Sequence, residues 1–556
     1  MKKLFRTKSI SSVMANSDVA DDIDHGSGLH RALTVRDLTF FGIAAIIGAG
    51  SFSSMGSACA AGGPAVILLF IICGIACGFT AMCYAEFASR IPVAGSAYTY
   101  AYTSFGEIIA WIIGWALLME YSIGNIYVAF AWSDYFENLL GVIGIHMPGW
   151  LTTNYRSAHA EMGDIWNNAP TLGSLHIIFD LPALLINFLI TWLVFVGVKE
   201  SRNVSNAMVI VKLAIIFLVI CVGAFYVNPD NWTPINDAGV RSFMPEGFTG
   251  VMSGVAAVFF AYIGFDAVST MAEEAKNPQR DLPRGMMYSL IICTIIYIIL
   301  SLVLTGMAYY KDLKVGDPLA AVFQMNGVGW MEAIISIAAV AAMTSVILVF
   351  QMGQPRIWMS MSRDGLLPKK FQEIHPKYKT PGFSTIVTGL VVGIPILFTD
   401  ETFVLDFTSI ATLFAFVLVC GGVLLIPRRE KEKGRFHMPY VDGRYIYPIV
   451  IFAAILFLNL IPATRGYFKD LFQIDFTADT ATYKISSLIF WSLCVVLSVF
   501  AYKRRWSLIP LLGLTTCCYL LTGMTAKNWV WFFIWFGLGL IVYFAYSRKH
   551  SKLNVA

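Results

Sequence analysis

Apolar stretches of about 20 residues recur along the whole chain, separated by short polar segments. A helix of this length crosses the roughly 30 Å hydrocarbon core of a bilayer. The pattern predicts fourteen spans, at 38–61, 64–88, 97–131, 181–198, 206–227, 249–272, 285–309, 329–362, 384–399, 402–426, 445–462, 485–502, 507–524 and 528–547. The chain shows no comparable alternation of apolar and polar residues of the kind typical of a membrane β-barrel. We therefore expect an all-α integral membrane protein.

Composition supports this class and narrows the chemistry. Hydrophobic residues make up 57% of the 556 residues and charged residues only 13%, which excludes an ordinary soluble protein. The ten cysteines all fall in or at the ends of apolar stretches, without a metal-binding spacing outside them. We expect no cofactor, no metal site and no disulfide-linked outer domain. The polar residues 1–37 contain no cleavable signal peptide, so the first span is expected to target the protein.

The distribution of basic residues predicts the orientation. Of the 39 lysines and arginines, only 8 fall in the segments on the side away from the termini. The positive-inside rule then places both termini in the cytoplasm, in a plasma membrane, which we take as a bacterial inner membrane. Basic clusters at 428–435 and 503–505 are expected to meet anionic lipid, and no nucleic-acid module is visible. The outer segment 132–180 is expected to be a solvated loop, with an ordered lid as the alternative.

Two spans carry glycine-rich interruptions. The first contains Gly48 and Gly50, and the sixth contains Gly264. Irregular backbone is tolerated inside a membrane where it lines a cavity. A separation of five spans is typical of an inverted repeat of five plus five helices that works by alternating access. The exposed amides and carbonyls of two half-helices suit an amino acid zwitterion, although the glycines could instead only permit close helix packing.

Two ionisable residues lie deep within spans. Lys212 is about a third of the way into the stretch 206–227, and Glu120 is deep in the third span. Intramembrane charges are functional by default, but Lys212 could also snorkel to the interface and Glu120 could be a hydrogen-bonded packing residue. Asp266, directly after the sixth-span interruption, is better explained as a helix cap than as a substrate ligand.

Four motifs resemble the amino acid-polyamine-organocation superfamily, and most closely its cationic amino acid transporters and their bacterial relatives. These motifs are Ile47–Phe52, Phe260–Val268, Glu273–Pro283 and Gln354–Pro368. The resemblance implies the leucine-transporter fold and fourteen helices. It divides the chain into a cytoplasmic segment 1–37, a ten-helix transport core 38–426, four peripheral helices 427–547 and a cytoplasmic tail 548–556.

The resemblance also implies a substrate site made mainly of backbone. The substrate carboxylate would be bound by amides near Gly48, Ala49 and Gly50. Its amino group would be bound by the carbonyls of Ile46, Phe260, Ala261 and Ile263. Met343, placed by motif spacing, would limit the length of the side-chain pocket, with core packing as an equally good interpretation.

For coupling, Lys212 matches the lysine that replaces a structural sodium ion in proton-coupled members. Thr344 and Ser345 resemble the hydroxyl pair that would ligate that sodium. A buried ammonium can replace Na⁺ as a point charge, and a buried lysine can exchange a proton near neutral pH. Glu120 is a second candidate for the proton pathway.

The predicted function is proton-coupled secondary transport of amino acids, with small or medium neutral ones preferred. Cationic amino acids, or exchange of one amino acid for another, are the alternatives, and a sensor that binds without transporting is an alternative of another class. An enzyme is disfavoured because the spans contain no HExxH motif and no evident facing carboxylate pair. The expected partners are the amino acid, protons and lipid, whereas the oligomeric state and stoichiometry stay open.

Overall fold

The computed structural model describes residues 6–8, 33–91, 96–161, 163–173, 175–197, 201–235, 239–378, 380–427, 435–460, 467–473 and 481–554. The main helices, numbered in chain order, are α1 (Val35–Ile46), α2 (Ser54–Gly62), α3 (Val66–Arg90), α4 (Ser96–Ser104), α5 (Glu107–Val142), α6 (Leu181–Val196), α7 (Ser201–Gly223), α8 (Gly247–Ser253), α9 (Val255–Phe260), α10 (Pro278–Met307), α11 (Pro318–Met325), α12 (Gly329–Arg363), α13 (Gly382–Ile396), α14 (Glu401–Leu425), α15 (Gly443–Leu460), α16 (Ala481–Arg504), α17 (Leu508–Leu521) and α18 (Ala526–Val542). Most of the predicted N-terminal segment, at 1–5 and 9–32, lies outside the described residues.

Helices of membrane-crossing length make up most of the fold. The part of the chain described here has ten helical segments long and apolar enough to cross a bilayer, and three shorter apolar helices, α6, α13 and α17. Strand structure is limited there to a hairpin of β1 (Thr171–Leu172) and β2 (Leu175–His176), with Thr171 opposite His176. The expected all-helical membrane class is therefore confirmed, while the count of fourteen spans, the five-plus-five repeat and the domain boundaries stay predictions.

The third predicted span, 97–131, is wrong as a single helix. The structure divides it into α4 and α5, and Gly106 between them has a φ of 96°. This left-handed conformation is accessible to glycine and ends the continuous helix. Beyond the predicted boundary, α5 continues to Val142. Tyr135, in this extension, is fully buried. The residues after 131 are more polar, so the hydropathy pattern did not predict this extension.

The segment after α5 is folded against the helices, contrary to the expected solvated loop. Trp166 stacks on His176 with ring centroids 4.0 Å apart. Arg156 forms a salt bridge with Asp400, at the start of α14, with a nitrogen to oxygen distance of 2.9 Å. The segment thus covers the helix ends on its side of the protein.

Described residues near the two ends of the chain meet on one face, which we call the terminal face. Lys8 forms an ion pair with Asp364, just after α12, and the Arg6 side chain donates to the carbonyl of Leu553. The amide of Glu107 at the start of α5 donates to the Arg6 carbonyl at 3.0 Å. The other end of α5 and the beginning of α12 therefore lie at the opposite face.

Helix packing places the interrupted spans at the centre of the molecule. α5 packs along α12 and α14, and α10 packs along α1 and α3. Towards the C-terminus, α15 packs on α16, and both contact α17, which lies against α3 and α14. The last helices thus lie at the periphery, with α15 the most exposed of the three that are long enough to span a membrane.

Candidate functional site

The first interruption follows α1. Its C-cap residue Ile47 has an extended backbone, and a four-residue helical turn, Ala49–Phe52, precedes α2. A Cβ atom on Gly48 would lie 2.3 Å from Val346 Cγ2, and one on Gly50 would lie 2.5 Å from Ala261 Cα. Glycine at these positions therefore permits the interrupted backbone to touch the neighbouring elements directly.

The second interruption follows α9. Residues 261–264 form a turn that leads into the 3-10 segment Phe265–Glu274. Gly264 has a φ of 115°, and a Cβ atom there would lie 2.8 Å from the Cβ of Ala45 on α1. Gly50 contacts Ala261 in the same region, so the two interruptions lie directly against each other. The end of one half-helix and the start of another thus border the same space.

A small cavity lies between the interruptions. Backbone atoms and apolar side chains line it, from Ala45, Ile46, Gly50, Val128, Phe260, Ile263, Val346 and Phe350. Of the residues predicted to bind substrate, Ile46, Gly50, Phe260 and Ile263 line it. The backbone of Ala49 begins the helical turn beside it.

The remaining predicted substrate residues lie behind the cavity wall. Gly48 faces Val346 and Ala261 faces Gly50. Met343 is fully buried but does not line the cavity, whereas Val346, less than one helical turn further along α12, does. Val128, Val346 and Phe350 were not predicted; the i, i+3, i+7 spacing of Met343, Val346 and Phe350 was the signal that placed them on one helix face.

Some backbone carbonyls at the first interruption already accept hydrogen bonds from the protein. The hydroxyl of Tyr297 donates to the Ile46 carbonyl at 3.0 Å, an interaction that the sequence did not suggest. The Gly48 carbonyl accepts from the Ser51 amide and hydroxyl, both at 3.0 Å. A carbonyl has two lone pairs, so Ile46 retains one for a ligand. The first amides of the Ala49–Phe52 turn have no acceptor within that turn, as at any helix start.

Lys212 binds the backbone of this interruption from behind. It is 1% exposed, and its Nζ donates to the Ile47 carbonyl at 2.7 Å, to the Ala44 carbonyl at 3.0 Å and to Ser345 Oγ at 3.2 Å. These three acceptors use the three donors of an ammonium group. All three are neutral oxygens, the kind of ligand set that also suits a monovalent cation. Lys212 therefore does not snorkel.

The two hydroxyls of the predicted pair, on Thr344 and Ser345, make different contacts. Ser345 contacts Lys212 and donates to the Ala342 carbonyl at 2.6 Å. Thr344 instead donates to the Val340 carbonyl at 2.7 Å and accepts from Trp132 Nε1 at 2.9 Å. Thr344 thus connects α12 to α5 and has no described contact with the lysine.

Glu120 belongs to a second buried polar group. It is 2% exposed, it interacts electrostatically with Asp266, and Glu120 Oε2 and Asp266 Oδ2 have no hydrogen-bond partner among the described residues. The hydroxyls of Tyr84 and Tyr121 nearby are likewise buried without a partner there. Two buried carboxyls that interact electrostatically disfavour two simultaneous negative charges. The structure thus indicates an electrostatic interaction between two carboxyls that the sequence did not suggest.

The site and fold define a polytopic membrane transporter, because interrupted helices enclose a cavity at the protein's centre and a buried ammonium binds one of them. The chain matches the amino acid permease family over residues 33–471 and the C-terminal region of amino acid permeases over residues 508–551. It belongs to this family, whose members are transporters and not enzymes.

Several relatives match nearly the whole chain. The methylthioribose transporter of Bacillus subtilis is 37% identical over 100% of both chains. The branched-chain amino acid permease BcaP of the same organism is 36% identical over 99% of each chain. Cationic amino acid transporter 3, mitochondrial, of Arabidopsis thaliana is 30% identical over 100% of this chain and 96% of its own length. The superfamily expected from the motifs is therefore confirmed.

Proposed function

We propose that this protein is a proton-coupled secondary transporter that prefers small or medium neutral amino acids. The observation that carries the proposal is the set of bonds from Lys212 Nζ to the Ile47 and Ala44 carbonyls of the interrupted first span and to Ser345 on α12. A protonated lysine holds these elements together as a bound cation would. Loss of the proton removes the charge and one donor, which weakens the link and favours a rearrangement of the interruption.

The substrate is proposed to bind where the two interruptions meet. Its carboxylate would approach the amides of the turn after Gly48, and its amino group would approach the free lone pair of Ile46 and the carbonyls at the end of α9. Helix starts favour anions and helix ends favour cations. The same pairing of groups explains why a zwitterion suits this cavity.

Side-chain preference follows from the cavity walls. The eight lining residues include no ionisable side chain. A cationic substrate side chain buried there would lack an acidic partner, and burying an unpaired charge is costly. A branched-chain permease among the relatives supports apolar substrates, whereas the cationic transporters keep arginine and lysine as the alternative.

The orientation is part of the proposal. Described residues near both ends of the chain lie on the terminal face, and the excess of lysine and arginine in the segments on that side favours the cytoplasm for it. We infer a multi-pass protein of the bacterial inner membrane, with ten core helices in two inverted halves and the remaining helices peripheral. Anionic lipid contact at the exposed Lys503 and Arg505 fits this arrangement, while 428–434 lies outside the described residues.

Uptake into proteoliposomes tests the proposal. Labelled leucine, alanine, serine and arginine should be compared with an inward proton gradient, with a sodium gradient and with neither. We expect leucine or alanine uptake that the proton gradient accelerates and that needs no sodium. Sodium-driven uptake that ignores pH would contradict the coupling.

Further outcomes separate the alternatives. Uptake that occurs only with an amino acid inside the vesicles identifies an exchanger. Substrate binding without uptake or exchange identifies a sensor.

A further inference from the structure

Three elements meet on the opposite face through the carboxylate of Glu401, the first residue of α14. Ser53 Oγ, just before α2, donates to Glu401 Oε1 at 3.3 Å and lies 3.3 Å from the Tyr127 hydroxyl of α5. Ser53 and Tyr127 are 3% and 2% exposed, so the contact is closed to bulk water on those sides. We call Ser53, Tyr127 and Glu401 the outer junction.

The outer junction contacts the wall of the cavity on that side. The ring of Tyr127 packs edge-on against Phe260, which lines the cavity, with centroids 4.5 Å apart. Ser54, next to Ser53, donates to the Ala257 carbonyl of α9 at 3.1 Å. Separation of Ser53 and Tyr127 from Glu401 would therefore release α2 and α14 from α5 and uncover the Phe260 side of the cavity.

The surroundings of Glu401 are rich in acids. The titratable and charged side chains near it are Tyr127 and Asp134 on α5, Asp180 before α6, Asp400, and the cations Arg156 and Lys527; Glu137 and Asp317 interact in turn with Asp134. Arg156 binds Asp400, and Lys527 lies over the ring of Phe403 at 5.2 Å. The described ion pairs include no partner for Glu401.

Burial without a cation raises the pKa of Glu401, which precedes the apolar span of α14. Burial also raises the pKa of Asp180 to about 7. A carboxyl whose pKa is higher in the closed arrangement than in water takes up a proton when that arrangement forms. The closed state is then favoured below the raised pKa and loses that advantage as pH rises through it.

We propose that Glu401 is a proton-binding site of the gate on the opposite face: the outer junction closes with Glu401 protonated and opens when Glu401 returns the proton to the water on that side. The proton that binds Glu401 comes from the same aqueous phase. This inference rests on the proposed alternating-access function, but its site is distinct from Lys212. Glu401 thereby senses the pH of the side from which substrate enters.

Thiol accessibility of the cavity tests the proposal. Val128→Cys places a thiol in the cavity wall, and an impermeant thiol reagent is applied to right-side-out vesicles at external pH 8 and pH 5.5. A gate coupled to one proton changes its open-to-closed ratio by up to about tenfold per pH unit. We expect labelling to fall about tenfold at the lower pH, and we expect Glu401→Gln to label at the low rate at both pH values. The protein with Val128 intact gives the background from the native cysteines.

Two controls make the result specific. Glu401→Asp retains a carboxyl and should retain the pH dependence, and Asp312→Asn removes an exposed acid on the same face and should change nothing. If Glu401→Gln keeps the normal pH dependence while remaining monodisperse, or if acid increases labelling, the proposal is overturned. Uptake is measured separately in vesicles with Val128 intact: no uptake there, together with pH-dependent labelling of Val128→Cys, rejects the proposed transport function and leaves this gate supported.

Discussion

The ammonium of Lys212 donates to the carbonyl of Ile47 at 2.7 Å, joining α7 to the residue at which the first span leaves its helical path. The contact satisfies a carbonyl that the interruption would otherwise leave without a helical partner. It also makes the shape of the interruption dependent on a group that can lose a proton. Protonation and cavity geometry are thereby linked in a single contact.

Replacement of Lys212 gives the first prediction. Lys212→Ala removes all three donors and leaves the Ile47 and Ala44 carbonyls unpaired, so proton-driven uptake should be lost. Leaving buried acceptors unpaired also costs about 1–3 kcal/mol each, and thermal stability should fall measurably. Lys212→Arg keeps the charge but is bulkier and does not release its proton, so it should bind substrate without pH-dependent uptake. Proton-driven uptake by the alanine variant at the normal rate would show that coupling lies elsewhere.

The two hydroxyls of α12 should have unequal effects. Ser345→Ala removes an acceptor of the buried lysine, and a hydrogen bond to a charged group contributes about 1.5–3 kcal/mol. We expect proton-driven uptake to decrease about tenfold or more. Thr344→Val preserves side-chain shape and removes the contacts with Trp132 and with the Val340 carbonyl, neither of which involves Lys212. It should keep the pH dependence of uptake, and equal losses in the two variants would contradict the separate roles.

Glycine substitutions test the close approach of the two interruptions. Gly50→Ala would place a Cβ atom 2.5 Å from the backbone of Ala261, so substrate binding and uptake should be abolished. In Gly48→Ala the clash is with the side chain of Val346, at 2.3 Å, and truncation by Val346→Ala should restore part of the uptake. Gly78→Ala is the control, because a Cβ atom there meets nothing within 4 Å. Normal affinity in Gly50→Ala would place the substrate away from this contact.

Asp180 should make stability depend on pH. It accepts hydrogen bonds from Ser133 Oγ at 2.7 Å and from the Ala183 amide at 2.9 Å, yet burial raises its pKa to about 7. Since this pKa exceeds the value of 3.8 expected on unfolding, the folded state binds more protons, and stability falls as pH rises to about 7. Asp180→Asn keeps both acceptor contacts and cannot ionise.

Melting temperatures in detergent at pH 5 and pH 8 measure this effect. The wild type should melt lower at pH 8, and Asp180→Asn should lose most of that difference and melt higher than the wild type at pH 8. Asp230→Asn changes an exposed acid, paired with Arg241, and serves as the control. If Asp180→Asn melts lower than the wild type at pH 8, the charged form of Asp180 stabilises the fold.

Local sequence signals were sufficient for the class of fold and for the interruptions. Apolar length identifies spans directly, and glycines within a span mark where the backbone leaves the helix, as at Gly48 and Gly264. The depth of Lys212 in its span was also visible. Each of these features depends on residues close together in the chain.

Features that depend on contacts between distant segments were not predictable in this way. Met343, Val346 and Phe350 share one face of α12, and only the packing against α5 and the interruptions decides that Val346 and Phe350 reach the cavity. The electrostatic interaction of Glu120 with Asp266 involves residues from different spans. Likewise, the salt bridge from Arg156 to Asp400 fixes a segment whose composition is typical of a solvated loop.

Substrate selectivity provides the last prediction, and it concerns the apolar walls formed by Val128, Val346 and Phe350. Uptake of labelled leucine should be inhibited by excess alanine, serine or leucine far more than by arginine or lysine. Val346→Asp would offer a cationic side chain an acidic partner, so it should shift competition towards arginine and weaken leucine uptake. Met343→Ala, a substitution behind the cavity wall, should leave the order of competitors unchanged. Strong inhibition of the wild type by arginine would reject the neutral assignment and make Glu120 and Asp266 the acids to replace first.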